Sequence, residues 1–137
     1  MEIFEIAPNL YQSTKIDDSD LFLSHGFDCV IDLEGGFDKI LSGWNLGGSY
    51  LYWHIFDVPW MPNEDRLWNV VRYGFNSWVH KDKILTHCSM GRNRSGLING
   101  CILSLDGMYG PEIVKLIQEK RPGALTNTTF REFLSGL

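Results

Sequence analysis

Short apolar runs alternate with longer amphipathic stretches along this chain, and the alternation sets the elements. EIFEIA reads as a strand and PNLY as the turn that follows it. In DDSDLFLSHGF, acidic residues precede an apolar face and Gly26 follows it. That predicts a short helix with its acids at the positive end of the dipole. DCVIDLE is a brief apolar run bounded by turn residues, which predicts a buried strand. The aromatic and β-branched YLYWHIFDV predicts another strand, ending at Asp57 because Pro59 and Pro62 cannot extend it. Between these two strands, GGFDKILSGWNLGGSY has no period and reads as a loop or irregular insert.

From Glu64 to His80 the period changes, and Leu67, Val70, Val71, Phe75, Trp78 and Val79 recur at helical spacing. KILTHC is then a short strand, and RSGLINGCILSLDG a buried helix closed by Gly107. GPEIVKLIQEKRPG is a further helix with Pro111 in its first turn. TNTTFREFLSGL closes the series as a short helix capped by Thr126 or Asn127. Strands alternating with helices imply an α/β domain with a mainly parallel sheet. Sites in such sheets form at the C-terminal ends of strands, where Asp57 and Cys88 both fall.

The length of 137 residues suits one domain spanning 1–137. A net charge of −5 argues against a general nucleic-acid or membrane binder, which would show a basic surface. It leaves room for a local cationic pocket. Cys29, Cys88 and Cys101 are an odd set with no C-x-x-C pair, so neither a disulfide framework nor a zinc site is expected. A reducing compartment follows from that cysteine usage. There is no signal-peptide pattern at the start and no apolar run long enough for a bilayer, so a cytoplasmic protein without membrane insertion is expected.

The segment THCSMGRNRSG, residues 86–96, departs from this ordinary background. A structural cysteine prefers apolar neighbours, yet Cys88 stands among polar and cationic ones, the setting that favours a thiolate. A curled loop would turn the backbone N–H groups of Ser89, Met90, Gly91, Arg92 and Asn93 inward as an anion-binding nest. The helix that begins directly after the loop aims its positive end at the same centre. Arg94 adds a planar fork able to grip two phosphate oxygens. The same groups that activate the nucleophile would hold a tetrahedral oxyanion and stabilise charge developing on it. A buried cysteine followed by a chance arginine does not account for His87, Cys88, Gly91, Arg94 and Ser95 coinciding between a strand and a helix.

HCSMGRNRSG resembles the H-C-x-x-G-x-x-R-S/T signature of the cysteine-dependent protein tyrosine phosphatase superfamily, and the short chain resembles its compact, atypical dual-specificity branch. The likeness extends to IAPNLYQS, to DLFLSHGFDCVIDL and to RPGALTNTTFREFL, and is weakest across 35–50. Low-molecular-weight tyrosine phosphatases share a C-x₅-R loop but carry it near the N-terminus, unlike this chain. The resemblance implies a three-layer α/β sandwich with a twisted, mostly parallel sheet of four to five strands flanked by helices. It implies phosphomonoester hydrolysis through a phosphocysteine intermediate, with no cofactor and no metal.

Attack by Cys88 expels an alkoxide or phenoxide, which needs a proton from a carboxylic acid upstream. Asp57 stands at about the spacing the resemblance implies, as acid and then as base toward the hydrolytic water. Asp65 in PNED is the rival, though its place also suits a helix N-terminus. By resemblance, Ser95 assists departure of the thiolate and His87 orders the loop. A helix N-cap is the other use of Ser95, and strand alternation puts His87 on the face opposite Cys88. His54, Cys29 and Cys101 read as core or edge residues, and Trp44 and Trp60 as packing beneath a long loop, with a pocket wall as the alternative.

Arg92 leaves the substrate open. Phosphatases of phosphoinositides and phosphatidylglycerophosphate often carry a basic residue at the matching place, and Asn93 followed by Arg94 resembles the RNA 5′-triphosphatases of the superfamily. A solvent-facing arginine that raises local potential is the simpler use. The expected partner is therefore a phosphorylated protein or another phosphomonoester. A catalytically silent phosphate-reading module is the reading from a different class, and it needs neither the thiol nor the acid.

Overall fold

Leu10–Ser13 forms a strand where the sequence suggests a turn, because the chain reverses in the two residues before it, with Asn9 in the left-handed region at φ 66°. The computed structural model describes residues 1–35, 44 and 47–137. Its strands are β1 (Ile3–Ala7), β2 (Leu10–Ser13), β3 (Cys29–Asp32), β4 (Ser49–Tyr52) and β5 (Ile84–His87). Its helices are α1 (Ser19–His25), α2 (Glu64–Val79), α3 (Arg94–Leu105), α4 (Gly110–Lys120) and α5 (Thr128–Ser135). Most of the 35–50 insert lies outside the described residues.

The sheet order is β1-β2-β5-β3-β4. β1 and β2 pair antiparallel as a hairpin, and the other three pairings are parallel. Helices on both faces make this the three-layer, mostly parallel sandwich that the sequence implied. Val30 and Leu85 point to one face, where Phe22 of α1 and Phe27 cover them. Ile31 and Ile84 point to the other, against a core that includes Leu97, Ile98, Ile102, Ile113 and Phe130. Residues 95–103 of α3 are all buried, which is why that helix carries no amphipathic stripe.

Capping follows the sequence closely. Asp18 Oδ1 accepts from the Leu21 amide at 3.0 Å, and Gly26 closes α1 in the left-handed region at φ 67°. Asn127, one of the two expected caps, accepts from the Phe130 amide at 3.1 Å and starts α5.

The strand expected to reach Asp57 ends at Tyr52. Its ladder partner, β3, stops at Asp32, whose carboxylate accepts from the Glu34 and Gly35 amides and turns the chain away. The Trp53 and Ile55 amides still donate to Asp32 O at 2.9 Å and Leu33 O at 3.4 Å, but no ladder continues, and the chain leaves the sheet as a loop on which Asp57 rides.

Candidate active site

β5 ends at His87, and the chain turns through residues 88–93 into α3. Four consecutive carbonyls of this turn are held from outside it. Ser89 O accepts from the Lys15 amide at 3.0 Å, and Met90 O from Arg121 Nη2 at 3.0 Å. Gly91 O accepts from Gln12 Nε2 at 3.0 Å, and Arg92 O from the Leu125 amide at 3.1 Å. In a trans peptide the C=O and the next N–H point in opposite directions. With the carbonyls drawn outward, the amides of Met90, Gly91, Arg92 and Asn93 turn inward, which is the geometry of an anion nest.

The loop closes tightly because of Gly91, at φ 64°. A Cβ there would lie 2.7 Å from the carbonyl carbon of Ser13 and 2.8 Å from its oxygen, at the end of β2. Gly91→Ala is expected to destabilise the fold by roughly 1–3 kcal/mol, through left-handed strain and backbone collision, measured by urea unfolding. An unchanged midpoint would mean that the loop relaxes freely away from β2.

The loop walls a cavity of about 250 Å³ lined by Asp57, Cys88, Met90, Arg92, Asn93, Arg94 and Thr126. Cys88 is almost fully buried, with its Sγ 3.3 Å from Ser95 Oγ. Ser95 is the second residue of α3, and Asn93 takes the N-cap position without a side-chain cap bond. Ser95 therefore does not cap the helix, and its hydroxyl faces the thiol. Arg94 Nη1 donates to the Ile55 carbonyl at 3.1 Å and lies 2.7 Å from Glu34 Oε2, so its fork is held in place before any ligand arrives.

Asp57 reaches the same cavity through a clamp of amides. Asn93 Nδ2 donates to its Oδ2 at 2.9 Å and Asn127 Nδ2 to its Oδ1 at 2.8 Å. Asn93 Oδ1 in turn accepts from the Asn127 backbone amide at 2.9 Å. The loop, the acid and the start of α5 thus share one hydrogen-bond network. Asp65 sits exposed in the first turn of α2 and does not line the cavity.

His87 is buried on the α1 face of the sheet, opposite the cavity, as strand alternation requires. Its Nε2 lies 3.0 Å from Oδ1 of Asp32, its register partner on β3, and Tyr50 Oη donates to Asp32 Oδ2 at 2.5 Å. Burial disfavours the Asp32 carboxylate. The hydrogen bond and charge of His87, together with Tyr50 and the Gly35 amide, more than offset this and hold it well below the usual carboxylate range. Stability from a depressed carboxyl is present above its unfolded value near pH ~3.9, and is lost as pH falls through the folded value. Asp32→Asn is expected to lose about 3–5 kcal/mol at neutral pH and to flatten the acid limb of stability, measured by urea unfolding across pH. Wild-type and variant curves that run parallel into acid would exclude this pair as the source.

The remaining candidates fall elsewhere. Cys29 and Cys101 are core residues, their thiols pushed up by burial, Cys29 to about 11. His54, expected in the core or at a strand edge, lies exposed on the loop after β4, its ring 4.7 Å from that of Phe56. Trp44 packs on the α1 side of the sheet, its Nε1 donating to Phe27 O at 3.0 Å, far from a pocket wall at the loop. Trp60 is 64% exposed and lines a separate hollow with Trp53 and Arg66, so it is not packing beneath a loop. Sequence reasoning did not identify Gln12, Glu34, Arg121 or Asn127 as parts of the site. Asn127 was legible as a helix cap, but the other three carry no local pattern.

No sequence-family model matches the chain, and no curated protein matches it. Its fold is nevertheless that of the dual-specificity and protein tyrosine phosphatases. A mouse putative dual specificity phosphatase, solved with zinc tungstate, superposes with a TM-score of 0.80 at 18% identity, covering 98% of this chain and 84% of that one. Tk-PTP in its active form superposes with a TM-score of 0.80 at 23% identity, covering 98% and 95%. A human tyrosine phosphatase-like serine/threonine/tyrosine-interacting protein superposes with a TM-score of 0.75 at 21% identity, covering 98% and 93%.

Proposed function

We propose that this chain hydrolyses phosphomonoesters through a phosphocysteine intermediate, with phosphotyrosine and also phosphoserine or phosphothreonine in proteins as its substrates. The observation that carries the reading is one small cavity sharing Cys88, Asp57, Arg94 and an inward-turned amide loop. The Cys88 thiolate attacks phosphorus, and the bond to the leaving oxygen breaks as Asp57 protonates it. Asp57, now ionised, takes a proton from water, which attacks the phosphocysteine and releases inorganic phosphate. The Ser95 hydroxyl, 3.3 Å from Sγ, stabilises the departing thiolate in that second step. Arg94 and the loop amides hold the equatorial oxygens throughout. The cavity of about 250 Å³ has room for a phosphate and part of the side chain that carries it.

A silent phosphate reader remains the competing class, since a phosphatase-like interacting protein shares the fold. A thiol facing a serine hydroxyl and an acid held over the same cavity favour the enzyme. Hydrolysis of a generic aryl phosphate tests this directly, and a wild-type protein with no turnover sinks the enzymatic reading.

Arg92 lines the cavity, which favours a second reading in which the substrate is a lipid headgroup or an RNA 5′-polyphosphate. Phosphopeptides, phosphoinositides and triphosphorylated RNA, compared across wild type and Arg92→Ala, separate the two. The protein-phosphatase reading expects phosphopeptides to dominate and Arg92→Ala to lower every substrate alike. A loss confined to the multiply charged substrates carries the second reading instead.

A further inference from the structure

Arg121, at the C-terminal end of α4, is a buried cation, 8% exposed, with no ion pair among the described residues. Its Nη2 donates to Met90 O at 3.0 Å, its Nη1 donates to Pro122 O, and its guanidinium carbon lies 4.6 Å from the centre of the Phe4 ring. Its Nε is buried with no hydrogen-bond partner among the described residues. Two carbonyls, the Phe4 ring and the C-terminal end of α4 partly compensate this buried guanidinium, and an anion within reach would complete the compensation.

The Met90 carbonyl that Arg121 holds belongs to the same peptide unit as the Gly91 N–H, which turns toward the cavity. Arg121 therefore stands directly behind the nest, on the carbonyl side of its wall. Donation to that carbonyl polarises the peptide and strengthens the N–H on the far side as a donor to an anion. Arg92 and Arg94 act from within the cavity, whereas Arg121 is not among the residues lining it.

We infer that Arg121 is a positioning residue of the anion site, acting through the Met90–Gly91 peptide, and that the bound phosphate is its missing counter-charge. This rests on the reading of the loop as a phosphate site. The test is thermal unfolding of the full chain titrated with inorganic phosphate, for wild type, Arg121→Met and Arg121→Gln. Phosphate raises the wild-type melting temperature, because it binds the folded state alone. Arg121→Met is expected to bind phosphate about 10–100-fold more weakly, through the lost charge and charge-assisted bond. Its phosphate-free melting temperature sums two opposed effects, a buried cation removed and the Met90 carbonyl left without its donor, so phosphate affinity is the deciding readout. Arg121→Gln keeps a donor for Met90 O without the charge, and decides the matter if Arg121→Met does not fold.

A role confined to bracing the fold gives a different pattern: phosphate affinity unchanged, whatever the phosphate-free melting temperature. That result overturns the inference, as does failure of both variants to fold or a wild type that binds no phosphate. Phosphate affinity that depends on Arg121, without turnover of an aryl phosphate, sinks the hydrolase reading and leaves this inference standing. Turnover with Arg121-independent affinity does the reverse.

Discussion

Cys88→Ser is expected to abolish aryl phosphate hydrolysis, by at least about 10⁴-fold, and to leave phosphate binding intact. On the proposed mechanism the thiol supplies the bond that forms in the first step, and a serine hydroxyl in its place has no base positioned to deprotonate it. Ser95 Oγ is the polar side-chain atom that bonds the residue 88 sulfur, and a hydroxyl beside a hydroxyl activates neither. The amide nest and Arg94 do not depend on the sulfur, because they are held by Gln12, Lys15, Arg121, Leu125, Glu34 and Ile55. Steady-state kinetics beside a phosphate titration reads both halves of the expectation. Residual turnover near the wild-type rate would remove Cys88 from the chemistry. Loss of phosphate binding with the thiol would mean that the nest is not pre-formed.

Asp57→Asn is the second large effect, a fall in kcat of about 10²–10⁴-fold for esters of weakly acidic alcohols and phenols. For an aryl ester whose phenol leaves readily as the anion, the same change costs far less, because that oxygen needs no proton. Asn keeps the shape of the side chain but sets an amide N–H against one of the Asn93 and Asn127 donors, so phosphate affinity read beside kcat separates loss of the proton from loosening of the loop. Asp65→Asn is the control, expected to leave the leaving-group dependence unchanged, since Asp65 lies away from the cavity on α2. If Asp65→Asn steepens that dependence and Asp57→Asn does not, the acid has been assigned to the wrong residue.

What the sequence made legible was local. The loop from Cys88 to Arg94 announces itself because nest, arginine and following helix are encoded in consecutive residues. The acidic start and Gly26 end of α1, the Asn127 cap and the helical period of α2 are local for the same reason. The end of β4 was not legible, because a strand stops where its neighbour stops, and β3 lies far from it in sequence. β2 was missed because four residues of LYQS carry too little period to outweigh the turn signal of Pro8 and Asn9. Gln12 and Arg121 look like ordinary polar residues until β2 and the end of α4 come to rest on opposite sides of the loop. Ser95 was open between cap and hydroxyl donor, and only the helix start at Arg94 separated them.

The four outward-held carbonyls also bear on how the protein loses function. Their anchors come from residues 12–15, before the loop, and from 121–125, after it. No fragment containing just the loop, its flanking strand and its helix has them. The pocket is therefore a late and collective product of folding, closing long-range contacts that favour slow, cooperative assembly. Partial opening of either flank, by fraying of the β1–β2 hairpin or undocking of the segment after α4, would free the carbonyls and silence the site before the core melts. Amide hydrogen exchange of Met90, Gly91, Arg92 and Asn93 would report such opening, and its free energy sets the fraction of molecules in which the site is assembled.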